Sequence, residues 1–251
     1  MRKALVRQPG SRLAEGIVTH LERRPLDLEL AGEQWRGYVA ALAAAGWDTV
    51  EVPAADDCPD AVFIEDTLVL HGGKAVVTRP GAESRRGEID AAASVAEQLG
   101  FTAAWITAPG TLDGGDVLAA DGTVYVGVGG RTNAEGARQL AAIVGPVITV
   151  PVSGFLHLKS AVTALPDGTI VGCPPLVPDT AIFDRFLAAP EPSGAHVVDL
   201  GGGRILLAAD CPRSAELYAG LGFEPVAVEI GEFQKLEGCV TCLSVLAQSL
   251  T

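Results

Sequence analysis

The stretch WRGYVAALAAAGWDTVEVP, residues 35–53, decides the fold. Trp35, Tyr38, Val39 and Leu42 fall at i, i+3, i+4 and i+7, the spacing of a helix that buries one face. Gly46 ends it, since glycine takes the helix-terminating left-handed conformation without a Cβ penalty. Residues 47–53 then read as an extended segment. The same helix–glycine–strand unit recurs. Ile89, Ala92, Ala93, Ala96 and Leu99 precede Gly100 and an extended stretch at 101–107. Residues 133–144 precede Gly145 and a strand at 147–150. A fourth copy is expected to open at Asp179 as N-cap, run through Phe186 and lead to a strand at 195–200. In the fifth, Pro212 suits a first helical turn, Gly222 closes the helix, and residues 223–230 extend.

Between these units lie short apolar segments joined by glycine turns. Residues 67–70 face 74–78 across Gly72-Gly73, 116–119 face 123–126 across Asp121-Gly122, and 161–165 face 169–171 across Asp167-Gly168. Such junctions are hairpin signals. The last apolar strand, residues 243–246, has no hairpin partner after it and is expected to pair with residues 4–7, closing the ring. The pattern favours a single α/β domain over residues 1–251, a five-bladed pseudo-symmetric α/β propeller. An open α/β sheet of independent units is the competing architecture. A ring would gather the segments 56–66, 109–116, 153–160, 201–204 and 231–242 at one pole, and loops gathered on a rigid scaffold are where sites are built.

Of the 251 residues, 48% are apolar and 20% charged, which excludes a disordered chain. Eighteen Lys and Arg stand against 31 Asp and Glu, a net charge of −13 that would repel nucleic acid and anionic membranes and tolerate a cationic ligand. Five scattered cysteines do not suit a secreted disulfide framework, and the N-terminal residues 1–7 lack the apolar core of a signal peptide. A cytoplasmic location is therefore expected. No phosphate-binding loop, zinc-protease helix or serine-hydrolase elbow occurs, and Gly127-Val128-Gly129 fails as a dinucleotide fingerprint because Thr132 stands where the third glycine belongs.

The chemistry concentrates in the pole segments. Cys239-Val240-Thr241-Cys242 admits three readings: half of a metal site, a redox pair, or a single nucleophile at Cys242, against a background in which both cysteines are simply small core residues. The nucleophile reading fits a loop-to-strand junction. His157, in a neighbouring pole loop, suits the proton shuttle such a thiol needs. Asp60, Glu65, Asp66, Asp113 and Asp116 enter apolar strands, where carboxylates are costly unless a cation compensates. Solvated loop acids are the plainer reading for Glu65 and Asp116. Arg85 and Arg131 each precede a helix, where positive charge opposes the dipole, which hints at a carboxylate ligand.

With these motifs in this order, the chain resembles the dimethylarginine dimethylaminohydrolases of the guanidino-group modifying (pentein) superfamily. The resemblance runs from Ala4-Leu5-Val6-Arg7 through Pro59-Asp60-Ala61-Val62-Phe63-Ile64-Glu65-Asp66, Thr78-Arg79-Pro80-Gly81, Leu112-Asp113-Gly114-Gly115-Asp116, Arg131-Thr132-Asn133 and Leu156-His157-Leu158-Lys159-Ser160. It ends at Lys235-Leu236-Glu237-Gly238-Cys239-Val240-Thr241-Cys242-Leu243-Ser244-Val245. It implies the five-bladed propeller, and hydrolysis of methylated arginine to citrulline through a covalent thiouronium, with neither metal nor organic cofactor. By position it makes Cys242 the nucleophile, His157 the acid and base, and Asp113 the residue that orients the histidine. Asp66 holds the guanidinium, and Arg85 and Arg131 bind the α-carboxylate. Asp60 takes the α-amino group with backbone near Val18, and Glu65 is a supporting acid. Two positions depart from the pattern: Glu237, where aspartate is common, and Cys239, where glycine or an aliphatic residue is common. The implied partner is a cationic small molecule, and the chain is expected as a monomer or homodimer. Competing functions are an arginine deiminase or amidinotransferase, a non-catalytic arginine-binding protein, and a metal module built on Cys239 and Cys242.

Overall fold

In the computed structural model, which describes residues 2–177 and 179–247, the helix around Trp35 runs from Leu28 to Ala44 (α1). The Asp27 carboxylate caps it by accepting the Leu30 N–H at 3.1 Å, a contact of about 1 kcal/mol. Ala31, Trp35, Tyr38 and Leu42 form its buried stripe, and Gly46 follows at φ +88°. The helix joins two parallel strands, β1 (Lys3–Val6) and β2 (Asp48–Glu51).

Four further units follow. β3 (Leu68–His71) pairs antiparallel with β4 (Lys74–Val77), and α2 (Ile89–Gln98) crosses to β5 (Thr102–Trp105), parallel to β4. β6 (Val117–Ala120), β7 (Thr123–Val128), α3 (Ala134–Val144) and β8 (Val147–Pro151) repeat the arrangement. So do β9 (Val162–Ala164), β10 (Ile170–Gly172) and β11 (Phe186–Ala188), though without an α-helix. Then come β12 (Val198–Gly201), β13 (Arg204–Ala208), α4 (Pro212–Gly220) and β14 (Glu224–Val228). A short helix, α5 (Gly231–Gln234), leads towards β15 (Val245–Ala247), which runs antiparallel to β1 with Ala4 opposite Leu246. The described residues thus form five three-stranded sheets in a mixed α/β fold. In each, the middle strand holds one antiparallel and one parallel neighbour. Among the described residues no helix is long and apolar enough to cross a membrane.

The fourth unit departs from expectation. Asp179 is an N-cap, its carboxylate accepting the Ala181 N–H at 2.9 Å, but of a 3-10 turn and not of an α-helix through Phe186; two such turns, Pro174–Leu176 and Thr180–Ile182, connect β10 to β11. Pro174 and Pro175 suit the start of a turn, and although Ile182, Phe183, Phe186 and Leu187 keep helical spacing, Phe186 and Leu187 are taken into strand β11 instead of a helix. Phe183 instead packs on Tyr125 and Phe186. The segment expected as the outer strand, 195–200, leads into the antiparallel strand β12 of the next sheet. Residues 201–204 are consequently the tight hairpin turn to β13, with Gly201, Gly202 and Gly203 all at positive φ, and not a pole loop. The equivalent connection is 189–197.

Packing around the C-terminal strand fixes the site. Val240 and Leu243 are fully buried in the core beneath α1, each stabilising the fold by about 1.5–3 kcal/mol. The buried Tyr38 hydroxyl donates to the Val240 carbonyl at 2.8 Å and lies 2.8 Å from Ser244 Oγ. Helix α1 therefore clamps both ends of the turn that carries Cys242.

Candidate active site

Each of the five sheets is entered through a 3-10 turn just before its first antiparallel strand: Ile64–Thr67, Gly114–Asp116, Leu158–Ser160, Pro192–Ala195 and Val240–Leu243. Backbone N–H groups at such turns are left free to bond side chains, and consecutive residues point about 120° apart. Glu65 and Asp66 lie within the first turn, Asp113 and His157 cap the second and third, His196 follows the fourth, and Cys242 lies within the fifth.

Asp113 and His157 form the centre. His157 Nε2 lies 3.0 Å from Asp113 Oδ2, and Asp113 Oδ1 accepts the Gly81 N–H at 2.8 Å. On the other side of the ring, Nδ1 is 3.7 Å from Asp66 Oδ1, which itself accepts the Gly115 N–H at 2.8 Å. A Cβ on Gly115 would come within 2.6 Å of His157 Nδ1 and 2.7 Å of Asp66 Oδ1, so only glycine lets the ring and carboxylate approach this turn. Burial alone would lower the His157 pKa, but Asp66, Asp113 and Asp116 outweigh it and push it up to about 9. Desolvation would raise Asp66, yet the His157 and Arg85 cations hold it down to about 2.

Asp116, left by its sequence setting as a solvated acid, is 1% exposed. Its Oδ1 accepts the Leu158 N–H at 2.8 Å and its Oδ2 the Thr132 hydroxyl at 2.6 Å. Thr132 Oγ1 in turn accepts the Asp113 N–H at 3.1 Å. Asp116 thereby ties the segment carrying His157 to the one carrying Asp113. No local motif signals that role.

The two arginines part company. Arg85 is 4% exposed, and all three of its guanidinium nitrogens bond protein acceptors. Nη1 reaches Asp66 Oδ2 at 2.5 Å, Nε and Nη2 reach Glu88, and Nη2 also reaches the Phe63 carbonyl at 3.0 Å. It supplies the compensating cation that the buried acids require. Arg131 is partly exposed, and its Nη2 lies 3.3 Å from Thr19 Oγ1.

Cys242, His157, Asp66, Asp60, Arg85 and Arg131 line one narrow cleft, together with Glu237 and Ile17. Val18, expected beside Asp60, packs on the core; its neighbour Ile17 lines the cleft and donates its N–H to Asp60 Oδ1 at 2.9 Å. The Glu237 carboxylate is turned on the chain itself. It accepts the N–H groups of Thr19 at 3.1 Å, of His20, and of Leu21 at 2.9 Å, pinning the segment 17–21 across the cleft. Glu65 does not reach this cleft. Pointing away from Asp66 on the same turn, its carboxylate pairs with Lys159 at 2.6 Å and accepts the Thr241 hydroxyl at 2.9 Å. It lines a separate cleft with Lys159, Gly114 and Thr241, and burial raises its pKa to about 7.

The Cys242 thiol is pushed well up by its hydrogen bond to Cys239, by burial and by the negative charge of Glu65 and Asp66. Asp66, Asp113 and His157 are the one group among the described residues whose metal-ligating atoms converge, all within 4.8 Å. Arg85 and two backbone N–H groups already occupy parts of both carboxylates, which leaves a geometry suited to an organic cation with several N–H donors.

No protein-family model matches the chain. It is similar to the N(G),N(G)-dimethylarginine dimethylaminohydrolase of Streptomyces coelicolor, 59% identical over 253 residues that span 99% of this chain and 98% of the relative. It is also similar to the protein of that name from Pseudomonas aeruginosa, 32% identical over 96% of this chain and 97% of the relative. The Pseudomonas aeruginosa enzyme, as a cysteine-to-serine variant complexed with citrulline, superposes with a TM-score of 0.90 at 30% identity over 98% of both chains. The N-terminal domain of a cyanobacterial arginine dihydrolase shares the fold, with a TM-score of 0.88 at 19% identity over 98% of this chain and 97% of that one.

Proposed function

The chain belongs to the dimethylarginine dimethylaminohydrolase family, and on that premise we propose that it hydrolyses Nω-methylated arginine to citrulline and dimethylamine or methylamine. The observation that carries the reading for this chain is the single cleft shared by Cys242, His157 and Asp66, with Asp113 behind the histidine. The guanidinium of asymmetric dimethylarginine or monomethylarginine binds against Asp66, its carbon facing Cys242. Its positive charge offsets the carboxylates that hold the thiol protonated, so the thiolate forms in the complex and the thiol proton passes to solvent.

Attack on the guanidinium carbon gives a tetrahedral adduct. His157, kept as the imidazolium by Asp66 and Asp113, protonates the departing amine and leaves a thiouronium on Cys242. The now neutral imidazole takes a proton from water, which attacks the same carbon; citrulline departs and the thiol is restored. Arg131 binds the α-carboxylate and Asp60 the α-amino group. Arg85 lines the cleft but is bound to Asp66 and Glu88. We assign it to hold Asp66 ionised and in place, with a share in the α-carboxylate only if those contacts yield. Glu65 supports the cleft from outside it by bracing Thr241, and Glu237, on its lining, holds the loop.

The five equivalent sheets and the pairing of β15 with β1 support a five-bladed α/β propeller, one catalytic unit over residues 1–251. The net charge of −13 argues against a nucleic-acid or anionic-membrane partner, and we expect a monomer or homodimer in the cytoplasm.

Citrulline formation from asymmetric dimethylarginine, monomethylarginine and arginine, with a Cys242→Ser control, tests the reading. Turnover of the methylated substrates that the control lacks is expected. Ammonia from plain arginine as the main reaction would make the chain an arginine deiminase, and no turnover of any would leave only binding.

A further inference from the structure

Cys239 is buried at 5% exposure, and no step of the hydrolysis uses it. Its Sγ stands 3.3 Å from Cys242 Sγ, about 1.3 Å beyond the length of a disulfide bond. Cys239 is the N-cap of one turn, Val240–Leu243, and Cys242 lies within it; the Cys242 N–H donates to the Cys239 carbonyl at 3.1 Å. The Cys239 N–H donates to Cys242 Sγ at 3.4 Å, and Cys239 Sγ is 3.2 Å from Thr241 Oγ1. Both sulfurs are therefore held facing each other, and only Cys242 lines the cleft. Among the described residues the other cysteines have no such neighbour: the buried Cys211, for instance, spends its thiol on the Ala208 carbonyl at 3.0 Å.

We propose that Cys239 and Cys242 form a reversible peroxide-sensitive pair, in which Cys239 resolves an oxidised Cys242 and the resulting disulfide switches turnover off. The co-reactant is hydrogen peroxide, small enough to enter the cleft. The minor Cys242 thiolate attacks one peroxide oxygen, the O–O bond breaks and a sulfenic acid forms, the sulfur being oxidised and the peroxide reduced; the proton lost from the thiol and the displaced hydroxide leave as water. Cys239 sulfur then attacks Cys242 sulfur, the S–O bond breaks, and the hydroxyl departs with the Cys239 proton as a second water. An added dithiol reverses the bond by exchange. Without a resolving thiol, Cys242 would continue to the sulfinic acid, which a dithiol does not reduce. The bond itself is independent of the assigned mechanism; the loss of turnover rests on Cys242 being the nucleophile.

The full-length enzyme treated with hydrogen peroxide gives the test. Trypsin cleaves after Lys235 and releases residues 236–251, which contain both sulfurs and no other cysteine. That peptide is expected to lose two hydrogens, about 2 Da, while citrulline formation falls by more than about tenfold and returns with dithiothreitol. In Cys239→Ala the same treatment is expected to add two oxygens, about 32 Da, and the loss of turnover to persist after reductant. Sulfinate on the wild-type peptide in place of the cross-link overturns the proposal, as does fully reversible inactivation of the alanine variant. A cross-linked peptide with turnover intact supports the thiol pair and overturns instead the role of Cys242 as nucleophile.

Discussion

Replacing Asp113 with asparagine tests the electrostatics that make His157 an acid. In the native site, burial opposes the imidazolium, and Asp66, Asp113 and Asp116 more than reverse it, raising the pKa from 6.5 to about 9. At pH 7.5 a pKa of about 9 leaves about 3% of the ring neutral, whereas an unperturbed one leaves about 90% neutral. Asp113→Asn keeps an oxygen for Nε2–H but removes the charge. A hydrogen bond to a charged group contributes about 1.5–3 kcal/mol, so the pKa is expected to fall by one to two units, to about 7–8. Isotope-labelled histidine NMR of the resting protein reads this directly, with His20, His71 and His196 as reference signals. The alkaline limb of kcat is expected to move down with the resonance, because the neutral ring has no proton for the leaving amine. Stability follows the same linkage. A folded pKa of about 9 against about 6.5 unfolded corresponds to about 3 kcal/mol, fully present below pH 6.5 and lost as pH rises through about 9. Asp66 shares that interaction and is not counted again. A native His157 titrating at or below 6.5, or one that Asp113→Asn leaves unmoved, would refute the reasoning.

Arg131→Leu removes the one cleft arginine with a donor left for an incoming carboxylate; KM for dimethylarginine is expected to rise about ten- to a hundredfold with a smaller change in kcat. Agmatine-like substrates lacking the carboxylate should feel the substitution far less, and an equal effect on both would count against the assignment. In Glu237→Gln the segment 17–21 loses its anionic anchor. Amide exchange at Thr19 and Leu21 is expected to accelerate about tenfold, read by hydrogen-exchange NMR, and unchanged exchange would show that the carboxylate does not hold the loop. Gly115→Ala drives a methyl to within 2.6 Å of His157 Nδ1 and 2.7 Å of Asp66 Oδ1. Turnover is expected to drop at least about a hundredfold while circular dichroism keeps the native shape; near-native kcat would mean that the ring and carboxylate need not sit where they do.

The repeat was legible wherever a helix buried a periodic stripe, as at Trp35, Tyr38 and Leu42, and wherever a glycine turn marked a hairpin. It was illegible in the fourth unit. There Ile182, Phe183, Phe186 and Leu187 keep helical spacing, yet two short turns make the crossover from β10 and the last two residues belong to β11, so counting by helices set the frame one segment late. Counting by the 3-10 turns that precede the inner strands would have found 189–197, and with it His196, whose Nε2 lies 2.9 Å from the Ser160 carbonyl. Residue type and position brought Cys242, His157, Asp66 and Asp60 to one cleft. They could not tell which of two adjacent acids faces it, because that depends on a 3-10 turn pointing Glu65 and Asp66 apart. Nor could they show that Arg85 is consumed by Glu88 and Asp66, since the partner is three residues away in one case and nineteen in the other.

One consequence of this charge arrangement runs against the usual picture of a cysteine nucleophile. Reactive thiols are commonly lowered by a neighbouring cation, and here a cation is present in His157. Its charge, however, is already claimed by Asp66 and Asp113, which lie within 3.7 Å and 3.0 Å of its two nitrogens. Cys242 is left facing carboxylates and a second sulfur, and its thiol rises. The site is then assembled as a deficit: buried acids hold the imidazolium charged and the thiol protonated until another cation arrives. In the proposed mechanism a guanidinium supplies that charge where the acids want it, lowers the cost of the thiolate, and finds the acid for its leaving group already protonated. Selectivity for a cationic substrate and activation of the nucleophile are thus one electrostatic event, and a neutral ligand of the same shape would bind without switching the thiol on.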